Sequence, residues 1–241
     1  MFAKIETAPA YLRVADAIER EIVTKRIRLG EPIGTESELV EQFGVNRSTV
    51  REGIRVLEEG GLIHRGAHRK LFAGLAPNDN SLARKMSRAL VLHDITFHEL
   101  HGAAQALETA TAEHAALRAT DDDLVAIERN LAMMEQAADD LPEVCRLDEE
   151  FHDLISNAAQ NRALQLAREP VKMLFFQTVE AILRANRPGV ERLIAAHHQI
   201  LAALRTRDEV TARQWMRRHV ADWRRGFERG GGDLQKPFEV G

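Results

Sequence analysis

Residues 35–62 read "TESELVEQFGVNRSTVREGIRVLEEGGL", and this stretch constrains the fold more tightly than any other. Thr35 followed three residues later by Glu38 is a capping-box pattern, so a helix starts there. Leu39, Val40 and Phe43 give that helix an apolar side, and Gly44 ends it, because glycine accepts the left-handed conformation of a helix terminus. Asn46 then caps another helix that runs to about Glu59, where "EGG" stops it. Two capped helices separated by so tight a turn form a helix-turn-helix.

The flanking sequence extends this unit. Val14, Ile18 and Ile22 recur at i, i+4 and i+8, which predicts a first helix over 9–27 that ends in "RLGEPIG". Two strands are expected at 62–65 and 69–73, with "RGAH" as the hairpin turn between them. Three helices followed by a two-stranded ribbon is the order of a winged helix-turn-helix. From "APNDN" at 76–80 onward the pattern is helical almost throughout, with helices expected at 82–92, 95–118, 121–138, 143–158, 161–185, 190–205 and 209–228. Breaks fall at Asp121, Pro142, "RPG" (187–189) and Asp208, and the final "GGGDLQKPFEVG" reads as a frayed tail. The expected fold class is mainly α: a winged helix-turn-helix over 1–75, an all-helical bundle over 76–229, and a tail over 230–241.

With 44% apolar and 29% charged residues, the chain has the composition of a soluble protein with a real core. No run of about 18 apolar residues occurs, and "MFAKIETAPA" lacks a signal peptide's apolar block. The single cysteine, Cys145, offers no intramolecular disulfide. A cytoplasmic protein with no membrane partner is expected.

The net charge of −4 hides an uneven distribution. Residues 1–78 hold twelve Lys/Arg against eleven Asp/Glu, whereas the remainder is clearly acidic. Within 44–72, Arg47, Arg51, Arg55, Arg65, Arg69 and Lys70 face only Glu52, Glu58 and Glu59. At about 100° per residue, Val50, Ile54 and Leu57 share one arc of the third helix and Arg47, Arg51 and Arg55 the next. The apolar arc can dock on the other helices, leaving the arginines outward. Arginine forks onto guanine O6/N7, and Asn46, Ser48 and Thr49 offer short polar groups for phosphates or base edges. Arginines at i, i+4 are also common on plain solvated faces; the capped helix before them and the basic ribbon after them favour DNA.

This constellation resembles the DNA-binding domain of GntR-family bacterial transcription regulators over about residues 11–74, most specifically in "VNRSTVRE". The resemblance implies a double-stranded DNA operator as partner. It implies groove and phosphate contacts from Thr35, Asn46, Arg47, Ser48, Thr49 and Arg51, and minor-groove contacts from His64, Arg65 and Gly66 at the wing tip. The chain departs from the family pattern at Gly34, which stands where proline is usual, and at Ser37, where an arginine often touches DNA. Gly53 replaces the usual alanine, at a helix cost of about 1 kcal/mol.

In the helical region, Asp148 and His152 lie at i, i+4 in "RLDEEFHDLI" and share a helix face. His197 and His219 lie on the last two helices, each eleven residues from Asp208 at the turn between them. In an antiparallel pair, about 1.5 Å per residue carries the chain roughly 16 Å out and back to one level. One aspartate and three histidines suit Zn, Ni or Mn with positions left open, although lone helix histidines are more often surface or satisfied core residues. "ALETATAEHAALRAT", "DEEFHDLISNAAQN" and "HHQILAALRTRDEVTARQWMRRH" resemble the FCD-type effector domain of the FadR subfamily over about 80–228. That resemblance implies a divalent metal ion on Asp148, His152, His197 and His219, with His198 the competing assignment. It also implies a small-molecule effector, a carboxylate or organic acid. Where the family often carries an arginine four residues before Glu108, this chain has Ala104, so the effector's anchor is expected from Arg184 or Arg187, with His101 facing the pocket.

A ligand-responsive homodimeric regulator follows, repression being its expected mode. A metal-sensing regulator and a metalloenzyme fused to a DNA-binding domain are the alternatives; no separate nucleophile or general-base motif supports the enzyme.

Overall fold

The computed structural model describes residues 8–76, 80–185 and 188–237, and the chain divides into two compact units, Met1–Leu82 and Ala83–Gly241. Each is described by itself.

The first unit contains α1 (Ala10–Val23), β1 (Pro32–Gly34), α2 (Glu36–Phe43), α3 (Arg47–Glu59), β2 (Ile63–Arg65), a 3-10 turn (Ala67–Arg69) and β3 (Leu71–Ala73). The capping box of α2 forms as expected: Glu38 N–H donates to the Thr35 hydroxyl and Thr35 N–H to the Glu38 carboxylate. Gly44 takes the left-handed conformation at φ 61°, and the Asn46 side chain accepts from Thr49 N–H at 2.8 Å. Val14, Ala15, Ile18 and Ile22 of α1 meet Leu39 of α2, Val50, Ile54 and Leu57 of α3, and Ile63, Leu71 and Ala73 of the sheet in one core.

Two expectations change. The first helix stops at Val23 rather than 27, because Thr24 N–H and Ile27 N–H turn back onto Arg20 and Glu21 carbonyls and Lys25 enters the left-handed region. The ribbon is three-stranded, in the order β1-β3-β2, all antiparallel. The extra strand hides in "EPIG": at three residues it carries no alternation, and its proline is tolerated because β1 is a sheet edge.

The second unit contains α4 (Ser81–Leu92, whose first two residues belong to the first unit), α5 (Phe97–Arg118), α6 (Asp121–Gln136), α7 (Leu141–Ala158), α8 (Arg162–Ala185), α9 (Pro188–Arg205) and α10 (Glu209–Arg229). α5 lies at the centre, packed by α7, α8, α9 and α10. Alanines at 104, 112, 115 and 116 on its buried face let those neighbours approach closely. Pro142 and Pro188, expected as breaks, instead sit inside the first turns of α7 and α9, where a missing N–H costs nothing. Thr96 and Thr120 close capping boxes with Glu99 and Asp123, and Asp140 and Asp208 cap α7 and α10.

The segment after α10 is not frayed through residue 237. Leu234 packs on the core, its carbonyl accepts from His98 N–H at 2.9 Å, and Thr96 bridges to Pro237. The first turn of a helix leaves N–H groups without partners, and the returning chain takes one of them.

Gly53 has a packing reason. A Cβ there would lie 2.9 Å from the Tyr11 carbonyl oxygen and 3.2 Å from Val14 of α1. Gly53→Ala gains about 1 kcal/mol of helix propensity but must displace α1 backbone, at about 1–3 kcal/mol. The expected net is a loss of about 1 kcal/mol, read as a lower denaturation midpoint; a clear gain would mean that α1 yields freely.

Candidate functional site

In the first unit, α3 turns Arg47, Arg51 and Arg55 to solvent while Val50, Gly53, Ile54 and Leu57 are buried. Asn46, Ser48 and Thr49 stand at the helix start, with Ser48 Oγ donating to Asn46 Oδ1 at 2.8 Å. Thr35 spends its hydroxyl on capping α2. Arg47 Nη2 donates to Ser37 Oγ at 2.9 Å, so the departure at Ser37 supplies an acceptor on this face. Arg51 Nε donates to Glu36 Oε2 at 2.8 Å, and Arg65 Nη1 to Glu36 Oε1 at 3.0 Å. The hydrogen bond from Arg51 holds the Glu36 carboxyl below the ordinary carboxylate range, against the upward push of burial. No residue spacing pointed to Glu36.

His64 corrects the expectation for the wing. It is half-buried in β2, stacked against Phe72, and its Nδ1–H donates to the Gly74 carbonyl at 2.8 Å. The turn begins at Gly66, whose missing Cβ makes room for the Phe72 ring, and its exposed residues are Ala67, His68, Arg69 and Lys70.

In the second unit, Asp148 and His152 of α7, His197 of α9 and His219 of α10 each offer a ligand atom, all within 4.8 Å of one another. His219 Nε2 lies 3.0 Å from His152 Nε2 and 3.4 Å from His197 Nε2, while Asp148 Oδ1 is 3.2 Å from His197 Nε2. Ligand atoms around a cation at about 2.1 Å stand roughly 3.0–3.4 Å apart. The first three ligands are almost fully buried and His219 is largely so. Asp148 Oδ1, near His197 but without hydrogen-bond geometry, is an orphaned buried anion oxygen. Burial pushes the Asp148 carboxyl up, the His197 imidazole well down and His219 down to about 3, so the last two present neutral rings with free lone pairs. Donor chemistry, convergence and the orphaned oxygen all fit a divalent cation.

One ligand is oriented from behind. His152 Nδ1 lies 2.9 Å from Glu108 Oε2 on α5, leaving Nε2 directed at the other ligands. Arg168 of α8 donates from Nε to Glu108 Oε1 and from Nη1 to Asp153 Oδ1, each at 2.6 Å. Arg168 is 1% exposed. No periodicity links it to Glu108, sixty residues away, and sequence reasoning missed it.

A cavity of about 560 Å³ between α8, α9 and α10 reaches Asp148 and His219. Phe175, Val179, Ile182, Leu193, Trp215 and Trp223 make its walls, and the exposed Arg192, Arg218 and Arg225 are among its lining. The expected effector residues are placed otherwise. Arg184 is exposed, pairs with Glu180 and is not in the lining; Arg187 lies outside the described residues. His101 is buried and stacks on Trp223, one ring removed from the cavity, with Nε2 unpartnered. His198 is exposed and pairs with Glu135 at 2.6 Å, away from the cluster.

Residues 10–70 match the family model for bacterial regulatory proteins of the gntR family, and residues 99–222 match the FCD domain. The chain is 31% identical over 220 residues to the Uxu operon transcriptional regulator of Escherichia coli K12, covering 87% of this chain and 83% of that one. It is 29% identical over 230 residues to the Glc operon transcriptional activator of the same organism, covering 90% and 88%. Among solved structures, Streptococcus agalactiae GntR aligns with a TM-score of 0.65 at 26% identity, covering 89% of this chain and 99% of that chain.

The Arg168–Glu108–His152 relay predicts a specific acid response. Burial pushes the Glu108 carboxyl up, but Arg168 and His152 outweigh it and hold it at about 2, down from 4.5. A depressed carboxyl stabilises the fold above its unfolded value, and that stability is lost as pH falls from about 4.5 toward 2. In metal-free protein, Glu108→Gln should flatten stability against pH in that window. At pH 7 it should cost about 3–5 kcal/mol in denaturant titration, because Arg168 loses a buried partner. An unchanged profile would exclude the relay.

Proposed function

This chain belongs to the gntR family of bacterial regulatory proteins and is a DNA-binding transcription regulator with an FCD domain, and we propose that its helical unit holds a divalent metal on Asp148, His152, His197 and His219 and binds a small organic acid against it. The convergence of four ligand atoms at one end of the cavity carries this reading. A site without cysteine whose ligands are one carboxylate and three imidazoles leaves positions on a five- or six-coordinate ion, and a carboxylate suits them. The apolar walls favour an acid with a hydrocarbon portion; Arg192 and Arg225 at the rim pair with Asp222, so Arg218 would take over the charge role assigned to the arginine that Ala104 replaces. The metal would supply the fixed positive charge that orders the acid.

In the first unit, Arg47 and Arg51 would read base edges. Asn46, Ser48 and Thr49 would hold phosphates, and Arg65 and the turn from Gly66 to Lys70 would approach the minor groove. A single recognition helix reads too few base pairs for a genome-wide search, which supports a homodimer on a near-palindromic operator. Repression by operator occupancy, in the bacterial cytoplasm, is the simplest output. Among the described residues no helix is long and apolar enough to cross a membrane.

Elemental analysis should find about one metal per chain, falling sharply in His197→Ala/His219→Ala. Metal at about 100 times its Kd should add about 2.7 kcal/mol of stability, visible as a rise in Tm. A further rise should follow with carboxylates only when the metal is bound. Full metal content in the double variant refutes the site; equal carboxylate shifts with and without metal refute the coupling. Light scattering should give about twice the monomer mass of 27.1 kDa, and the monomer value at micromolar concentration, with and without operator, would end the dimer proposal.

A further inference from the structure

Glu36 places a carboxylate in the middle of the face that meets DNA. It opens α2, its side chain is 19% exposed, and both oxygens are engaged by arginines from other elements. Arg51 of α3 donates to one and Arg65 of β2 to the other. Arg65 is held from a second side, its Nε lying 2.8 Å from Glu58 Oε1 on α3. The next residue of α2, Ser37, accepts from Arg47. The first turn of α2 therefore supplies the acceptors for both outward arginines in the first half of α3.

A negative charge there opposes phosphate attraction, which dominates non-specific binding. What offsets it is geometric. Glu36 engages Arg51 through Nε, and neither Nη atom of Arg51 has a partner among the described residues. The two Nη groups are one edge of a planar fork that can meet guanine O6 and N7, and fixing Nε fixes the plane of that fork. A lock that withheld Arg51 from DNA would cover those outer donors, whereas Glu36 leaves them uncovered.

We propose that Glu36 is a positioning residue for sequence readout: it aims the guanidinium of Arg51 at a base edge and, through Arg65, ties the wing strand to the recognition helix. Specificity is gained and non-specific attraction is given up. The depressed carboxyl of Glu36 keeps it ionised throughout the physiological range.

The test uses the full chain and an operator recovered by wild-type selection from random-sequence duplexes. Anisotropy titrations at fixed salt compare that operator with a mixed-sequence duplex. Glu36→Gln keeps size and an acceptor but removes the charge. Specific affinity should fall about tenfold or more while non-specific affinity holds or rises, and discrimination should relax at the base pair Arg51 reads. Both affinities rising together would make Glu36 a lock and overturn the proposal. Both falling together at unchanged Tm, or neither changing, would also overturn it. In an Arg51→Ala background, Glu36→Gln should cost no further specificity, as expected of a residue acting through Arg51. A further tenfold fall there overturns the proposal as well, and because Glu36 is on the surface, a folding loss is separable by Tm.

Discussion

A carboxylate taken out of water needs a cation, and among the described residues the helical unit buries two of them within one bundle. Glu108, 6% exposed, has its cation in Arg168, and the pair also fixes the ring of His152. Asp148, 2% exposed, is surrounded by imidazoles, one of them tied up by Glu108 and two driven neutral by burial. Breaking such compensation by removing one partner costs several kcal/mol. The arrangement of α5, α7, α8, α9 and α10 around these groups is therefore set by charge as much as by apolar packing. The same need for a counter-charge is what supports the proposed metal at the Asp148 cluster over a group of satisfied core histidines.

The winged unit solves the opposite problem. Its arginines are exposed, so holding them costs side-chain freedom rather than desolvation, and surface ion pairs alone contribute little to stability. The pairs at Glu36 and Glu58 matter for direction: they keep flexible cations in fixed orientations on a rigid scaffold. Gly53 serves that scaffold from the other side, since the absent Cβ lets α1 press against α3.

How much was legible in the sequence follows from how local each signal is. Caps and periodic apolar positions are properties of a few consecutive residues, so Thr35, Gly44, Asn46 and the buried arc of α3 were readable. The convergence of Asp148, His152, His197 and His219 was readable because these residues are related by helix spacing and by symmetry about the turn at Asp208. What was missed depends on contacts between distant segments. Arg168 meets Glu108 across sixty residues, Glu36 meets Arg65 across twenty-nine, and Leu234 returns to His98. β1 was missed because three residues carry no alternation. His64 was assigned to the wing tip because its half-buried place beside Phe72 depends on the pairing register of β2 with β3. Arg184 was assigned to the effector only as a substitute for the arginine that Ala104 replaces; it pairs with Glu180 one turn away at the surface and is not in the cavity lining.

On the proposed function, a ligand that bound every state of the helical unit equally would regulate nothing, however tightly it bound. The three helices that carry metal ligands, α7, α9 and α10, are cross-linked once the metal is in place, so they are the least able to differ between states. α8 is the remaining wall of the cavity; it contributes Phe175, Val179 and Ile182 but no ligand. It is held instead by Arg168, whose hold on Glu108 runs back to His152. An acid seated on such a metal would press its hydrocarbon portion against α8 and, through Arg168, against the orientation of His152. Coupling energies in allosteric proteins are typically about 1–3 kcal/mol, which is within what burying a few methylene groups against one helix provides, at about 0.8 kcal/mol each.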